Sequence, residues 1–160
     1  MAFPRSGWFR RRPAYSDGVI DLYPLLTCDD PELNIDVNYV FRITKTGCLK
    51  EAGQISLRQG EGPGIYYFGH VGYHVDPPYR GRGYALRACK LLIPLCQGMG
   101  MRSLVITTDV DNVPSRRICE SLGCRLECIA SVPTRMQNKF QLSPAKCRYI
   151  WQITPNEEKA

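Results

Sequence analysis

Apolar and polar positions change their rhythm about half-way along the chain, and the two halves predict different elements. Gly18 to Leu26 (GVIDLYPLL) reads as a first strand. The following TCDDPELNID, from Thr27, is a loop with at most one helical turn, because Pro31 and the clustered acids break any longer pattern. Tyr39 to Thr44 alternates as a second strand, Thr46-Gly47 makes a turn, and Glu51 to Arg58 is a third strand. QGEGPG is a strong turn signal, and Ile65 to Val75 (IYYFGHVGYHV) predicts a long fourth strand. Neighbouring strands joined by short turns imply an antiparallel meander.

From Gly83 to Met99 the apolar residues Ala85, Ala88, Cys89, Leu92, Leu95, Cys96 and Met99 recur at helical spacing, with a kink expected at Pro94. Ser103 to Thr108 (SLVITT) is a continuous β-rich run, as in a buried central strand. Asn112 is placed to cap a helix reaching about Leu122, with Pro114 in its first turn and Gly123 at its stop. Cys124 to Ala130 reads as a strand, Val132 to Pro144 as a polar loop, and Cys147 to Thr154 (CRYIWQIT) as a last strand. The expected class is therefore α+β: a mixed, mainly antiparallel twisted sheet of about six or seven strands with helices on both faces, in the order β-β-β-β-α-β-α-β-β. Residues 1–17 are polar, basic and broken by two prolines, so they read as an arm; residues 18–155 read as a single domain.

Composition narrows the function classes. With 44% hydrophobic and 22% charged residues, the chain is an ordinary globular one, and no apolar run approaches the ~20 residues that span a bilayer. The opening MAFPRSGWFRRRP has no apolar segment after its first basic residue, so a cytoplasmic location with no membrane partner is expected. Eight cysteines form no CxxC pair and stand beside only two histidines, which argues against a metal site. Cys89, Cys96 and Cys119 fall in apolar helical patterns and read as reduced core thiols. The net charge of +6 favours an anionic partner. Trp8-Phe9-Arg10-Arg11-Arg12 interleaves aromatics with cations, but a solvated basic arm is the simpler reading than a nucleic-acid contact.

The segment VDPPYRGRGYALRACKLL carries the main chemical candidate. A strand ends, two prolines direct the chain outward, and a glycine-bearing turn opens a helix whose first N–H groups and dipole suit a phosphate. Gly81 and Gly83 let the backbone approach a ligand, and Arg80 and Arg82 add charge-assisted donors. GRGYAL lacks the third glycine of a Rossmann turn, and no Gly-Lys-Ser/Thr makes a Walker loop. From the residues alone, this turn is either an anion cradle or a glycine-rich connector with solvated arginines. His70 and His74, four apart on one predicted strand, stand about 13 Å from each other and cannot share a metal.

The spacing Arg-x-x-Gly-x-Ala at Arg80, Gly83 and Ala85 resembles the acetyl-CoA motif of the GNAT N-acetyltransferase superfamily. ITTDVDNVPSRRICESLGCRLE, with Asn112 and Ser115, is similar to that family's second block, and the element order is similar over about residues 35–153. GHVGY before the first motif and RYIW in the last strand resemble a bacterial group within it. The resemblance implies transfer of acetyl from acetyl-CoA to a primary amine, of a small molecule or a protein, directly in a ternary complex. The alternative is a non-catalytic acyl-CoA-binding sensor of the same fold. It implies that main-chain groups of Tyr73, His74 and Val75 hold the pantetheine arm, and that Arg80, Gly81, Arg82, Gly83, Tyr84 and Ala85 cradle the pyrophosphate. Asn112 and Ser115 would flank the CoA arm. His70 is the candidate base by similarity to arylalkylamine-type enzymes. Cys119 stands where the family usually carries a thiolate-protonating tyrosine, so it is either that acid or a core residue; Tyr149 is a further donor candidate. The chain departs from the family between its first two strands, where Thr27 to Val37 replaces two helices. A second subunit, as in a homodimer, could close that side.

Overall fold

A computed structural model describes residues 12–153. Five strands form one sheet in chain order: β1 (Tyr15–Ser16), β2 (Ile20–Asp30), β3 (Ile35–Lys45), β4 (Glu51–Gly60) and β5 (Val71–Val75). A second sheet holds β6 (Ser103–Asp109), β7 (Arg125–Ser131) and β8 (Ala145–Gln152), with β8 in the middle. Every ladder in both sheets is antiparallel. Alternation sends Ile20, Leu22, Phe41, Ile43, Ile55 and Leu57 into one core. They meet Leu104, Ile106, Tyr149 and Trp151 of the second sheet and the apolar stripe of α2 (Tyr84–Leu91). The α+β class and the meander follow the expected pattern.

Several elements differ from the pattern read in the sequence. Thr27–Asp30 continues β2 instead of forming a loop, because pairs such as Thr27↔Tyr39 and Cys28↔Asn38 satisfy its backbone on β3. Only a single 3₁₀ turn, Pro31–Leu33, separates the two strands; the Asp30 carboxylate accepts from the N–H groups of Glu32 and Leu33. The long fourth strand is a helix followed by a short strand: α1 spans Pro63–Phe68, and β5 begins at Val71. Pro63 presets the first helical φ, and Gly69, at φ 75°, ends the helix in a conformation that favours glycine. The segment read as a polar loop contains α5 (Thr134–Phe140), whose Phe140 ring meets Phe68 edge-on at 5.7 Å. β6 is an edge strand with alternating burial, not a central one. Tyr15 and Ser16, assigned to the arm, pair with Leu22 and Asp21, and Tyr15 packs on Phe41. The basic cluster at residues 8–11 lies outside the described residues.

The helical half agrees with its pattern. Pro94 breaks the run into α2 and α3 (Ile93–Gly98), and Asn112 caps α4 (Val113–Ser121) by accepting from the Ser115 N–H at 3.1 Å. Cys89, Cys96 and Cys119 are fully buried free thiols. No helix among the described residues is long and apolar enough to cross a membrane.

One junction sets up the site. β5 and β6 lie in different sheets, yet the His70 N–H donates to the Val105 carbonyl at 2.8 Å and the Val105 N–H donates to His70 Nδ1 at 2.9 Å. Past this pin no ladder joins the two strands, so a wedge opens between them.

Candidate active site

The first cavity has a volume of about 600 Å³ and is walled by β5, the turn after it, the start of α2 and the start of α4. β5 contributes Tyr73, His74 and Val75. Its edge away from β4 carries no ladder, which leaves main-chain donors and acceptors open to a ligand. The turn contributes Arg80, Gly81 and Gly83, both glycines at positive φ (76° and 75°). Arg80 Nε donates to the Val75 carbonyl at 2.8 Å, which folds the arginine back over the end of β5. Gly83 caps α2 without a side-chain hydrogen bond, so the first-turn N–H groups at Tyr84, Ala85 and Leu86 have no intrahelical acceptor. Asn112 and Ser115 close the far wall from α4.

A second cavity of about 210 Å³ lies in the wedge itself, between Val71–Tyr73 of β5 and Thr107–Asp109 of β6. It shares Tyr73, Asn112 and Ser115 with the first. Tyr73 and Ser115 bring their hydroxyl oxygens to 2.6 Å at this shared boundary. Burial pushes the Tyr73 phenol well above its ordinary value, so it keeps its proton. Arg58 of β4, Tyr67 and Phe68 of α1, and Lys146 of β8 complete the second cavity. Burial works to raise the Asp109 carboxyl, but hydrogen bonds from Lys146 and Ser143 outweigh it and hold the group ionised.

The structure brings together Tyr73, His74, Val75, Arg80, Gly81, Gly83, Tyr84, Ala85, Asn112 and Ser115 around the first cavity. Arg82 stands outside the lining, with its guanidinium 5.9 Å from the Tyr79 ring centroid. His70 lines neither cavity and sits in the bend before β5, not on a strand. Its Nδ1 accepts from Val105, which puts the ring proton on Nε2. Burial, then Arg148 and Arg58, lower its pKa. Cys119 is also outside both cavities; its hydrogen bond to Cys124 and its burial push the thiol well up. Tyr149 is buried and accepts from Arg116 Nε. His74 is exposed and pairs with Asp76. Arg58, Asp109 and Lys146 went unread in the sequence: Asp109 and Lys146 meet only through the β6–β8 register, which no local pattern announces.

The position of His70 gives a stability prediction. Replacing His70 with Ala leaves the Val105 N–H without its acceptor and should cost about 1–3 kcal/mol. Because the folded pKa lies below the ordinary 6.5, the unfolded chain takes up the proton first on acidification. The contribution of neutral His70 is thus full above about pH 6.5 and is lost as the pH falls toward the folded value. Thermal melts from pH 7.5 to 5 should show a slope in the parent that flattens in His70→Asn; equal slopes would contradict this.

The profile of the acetyltransferase (GNAT) domain matches residues 18–125, which holds β2 through α4 and both cavity walls on β5 and α2. The chain belongs to the GNAT family. Solved GNAT structures share its fold. An acetyltransferase (GNAT family) from Bacillus anthracis superposes with a TM-score of 0.58 at 21% identity, over 71% of this chain and 66% of that one. The acetyl transferase from Salmonella typhimurium that modifies the N-terminal serine of 50S ribosomal subunit protein L7/L12 gives 0.55 at 21%, over 73% and 64%. The structure of yncA from Salmonella typhimurium with its cofactor acetyl-CoA gives 0.55 at 21%, over 77% and 68%. The chain thus spans about two thirds of the length of these proteins. None of the curated proteins compared with it matches significantly.

Proposed function

We propose that this GNAT protein transfers acetyl from acetyl-CoA to a primary amine by direct attack in a ternary complex. The observation that carries the reading is the pair of cavities meeting at Tyr73 and Ser115, one suited to the donor and one to the acceptor. The CoA pyrophosphate lies on the first turn of α2 with Gly81 and Gly83 beneath it, where N–H groups and the helix dipole favour negative charge. Arg80 adds a cation at the rim, and Arg82 acts only at longer range. The pantetheine arm pairs with the open edge of β5 through main-chain groups of Tyr73, His74 and Val75. Asn112 spends its carbonyl oxygen on the α4 cap and keeps its amide N–H groups for the arm. The similar solved structures, one with its cofactor acetyl-CoA and one that modifies an N-terminal serine, support acetyl-CoA as donor and an amine as acceptor.

The thioester carbon then sits at the mouth of the wedge, within reach of an amine in the second cavity. Attack forms the C–N bond, the C–S bond breaks, and CoA leaves as a thiolate. Asp109, held ionised by Lys146 and Ser143, lines the cavity and accepts a hydrogen bond from the amine to orient it, while the ammonium proton leaves to water. This role falls to Asp109 instead of His70, whose accepting nitrogen is engaged by Val105. The Tyr73–Ser115 hydroxyl pair faces the departing sulfur in place of Cys119, which lies in the core. No described cysteine lines either cavity, which favours direct transfer over an acetyl-cysteine intermediate.

The single 3₁₀ turn between β2 and β3 favours a second reading, a sensor that binds acyl-CoA without turning it over. Free-thiol release with acetyl-CoA and a panel of small amines and peptide N-termini separates the two. Release only when an acceptor is present is the expected result; binding of acetyl-CoA with no release from any amine would favour the sensor.

A further inference from the structure

The second cavity has an electrostatic imbalance. Its charged lining residues are Arg58, Asp109 and Lys146. Asp109 and Lys146 face each other in register across β6 and β8 and form an ion pair, so their charges cancel. Arg58 is the cation left over: no carboxylate among the described residues pairs with it. Among the described residues its side chain meets the carbonyls of Phe68 and Gly69, reached by Nη1 at 3.4 and 3.3 Å, both long for hydrogen bonds. A half-buried guanidinium without a counter-charge carries a desolvation cost, and burial lowers its pKa.

The backbone makes room for this cation. The Arg58 N–H donates to the His70 carbonyl at 2.7 Å, so the residue is fixed beside the pin that closes the wedge. A Cβ at Gly72 would lie 2.8 Å from Arg58 Nη2; the bare glycine on β5 lets the guanidinium lie against the strand. Arg148, the other cation near His70, is already committed: it pairs with Glu127 and lies 3.8 Å from the Tyr66 ring centroid. At about 210 Å³ the cavity is below the range of about 300–1,000 Å³ that suits drug-sized ligands, so it fits a small acceptor.

We infer that the acceptor carries a carboxylate close to its amine, as in an α-amino acid, with the carboxylate on Arg58 and the amine toward Asp109. This rests on the acetyl-transfer reading for the same site. The carboxylate supplies the counter-charge that Arg58 lacks, and the planar guanidinium can take it in a two-point contact. Removing that carboxylate, by decarboxylation or by conversion to an amide, strands the cation and lowers selectivity.

The test uses the full chain. L-Alanine, L-serine and L-methionine are compared with their decarboxylated amines and with their amides. Thiol release is measured with saturating acetyl-CoA, and calorimetric binding with CoA present, each corrected for the free-base fraction of the amine. The expected result is a preference of about tenfold or more for an amino acid over its own amine and amide. Arg58→Gln should bring that ratio to within about twofold, and Arg58→Lys should keep part of it. The ratio is internal to each preparation, so a partly unfolded variant does not distort it, and the comparison on the parent stands without any variant. Equal treatment of acid, amide and amine would overturn the inference while leaving acetyl transfer intact. A preference for the amides would also overturn it and would point to peptide N-termini. If no amine releases thiol, acetyl transfer fails, and binding decides: selective amino-acid binding supports the carboxylate site, and its absence overturns it.

Discussion

Gly83→Val is expected to weaken acetyl-CoA binding by about a hundredfold. A side chain at this position meets no protein atom within 4 Å, so the space it would occupy belongs to the cavity and to whatever binds there. A branched side chain would push the pyrophosphate off the first turn of α2. Losing two charge-assisted hydrogen bonds costs about 3 kcal/mol, or about two orders of magnitude in affinity. The residue also adopts φ 75°, which costs a non-glycine about 1–2 kcal/mol of folding stability. Gly100→Val separates the two effects, because Gly100 has φ 73° and the same open surroundings but lies away from both cavities. Calorimetry should show weak binding in Gly83→Val and parental binding in Gly100→Val, with similar losses of thermal stability. Parental affinity in Gly83→Val would remove the turn from the donor site.

Gly53→Ala should be strongly destabilising for a single added methyl. A Cβ there would lie 2.2 Å from the His74 carbonyl oxygen and 2.9 Å from the Val75 Cα, both backbone atoms that cannot rotate away. Gly53 pairs with Val75, so relief requires β5 to move off β4 at the residues that wall the first cavity. Overpacking of this kind costs about 3 kcal/mol, which lowers Tm by roughly 6–12 °C in a chain of this size. Acetyl-CoA affinity should fall with it, although Gly53 lines neither cavity. Gly47→Ala, at φ 80° with nothing within 4 Å, should cost only its backbone strain. A Gly53→Ala protein as stable as Gly47→Ala would contradict the close approach of β4 and β5.

Local rules carried the helical half of the chain. Asn112 reads as a cap, Pro94 as a break and Gly83 as a helix start because each acts on its immediate neighbours, and each does so in the fold. Pro63 and Gly69 are start and stop signals of the same kind, but the aromatic run Tyr66-Tyr67-Phe68 carries β propensity and fits a strand as well as a helix. Thr27–Asp30 has little strand character and is extended only because β3 runs beside it. The first cavity was legible as a cluster because it is built on one continuous segment, residues 73–86, plus the helix that starts after Asn112. The second cavity was not, because Arg58, Asp109 and Lys146 come from three strands and meet only through register and the splay of two sheets. His70 shows the limit of a motif: its place in the sequence suggested a base, while its ring serves as a backbone acceptor that pins β5 to β6.

The most direct test follows the acetyl group itself. Protein is mixed with acetyl-labelled acetyl-CoA without acceptor, denatured in part to look for covalent label, and otherwise given a competent amine. Direct transfer predicts no label on the denatured chain, intact acetyl-CoA bound to the folded one, and movement of the label to the amine once it is added. Label fixed covalently to the protein, or label that stays on CoA with every amine offered, would contradict it.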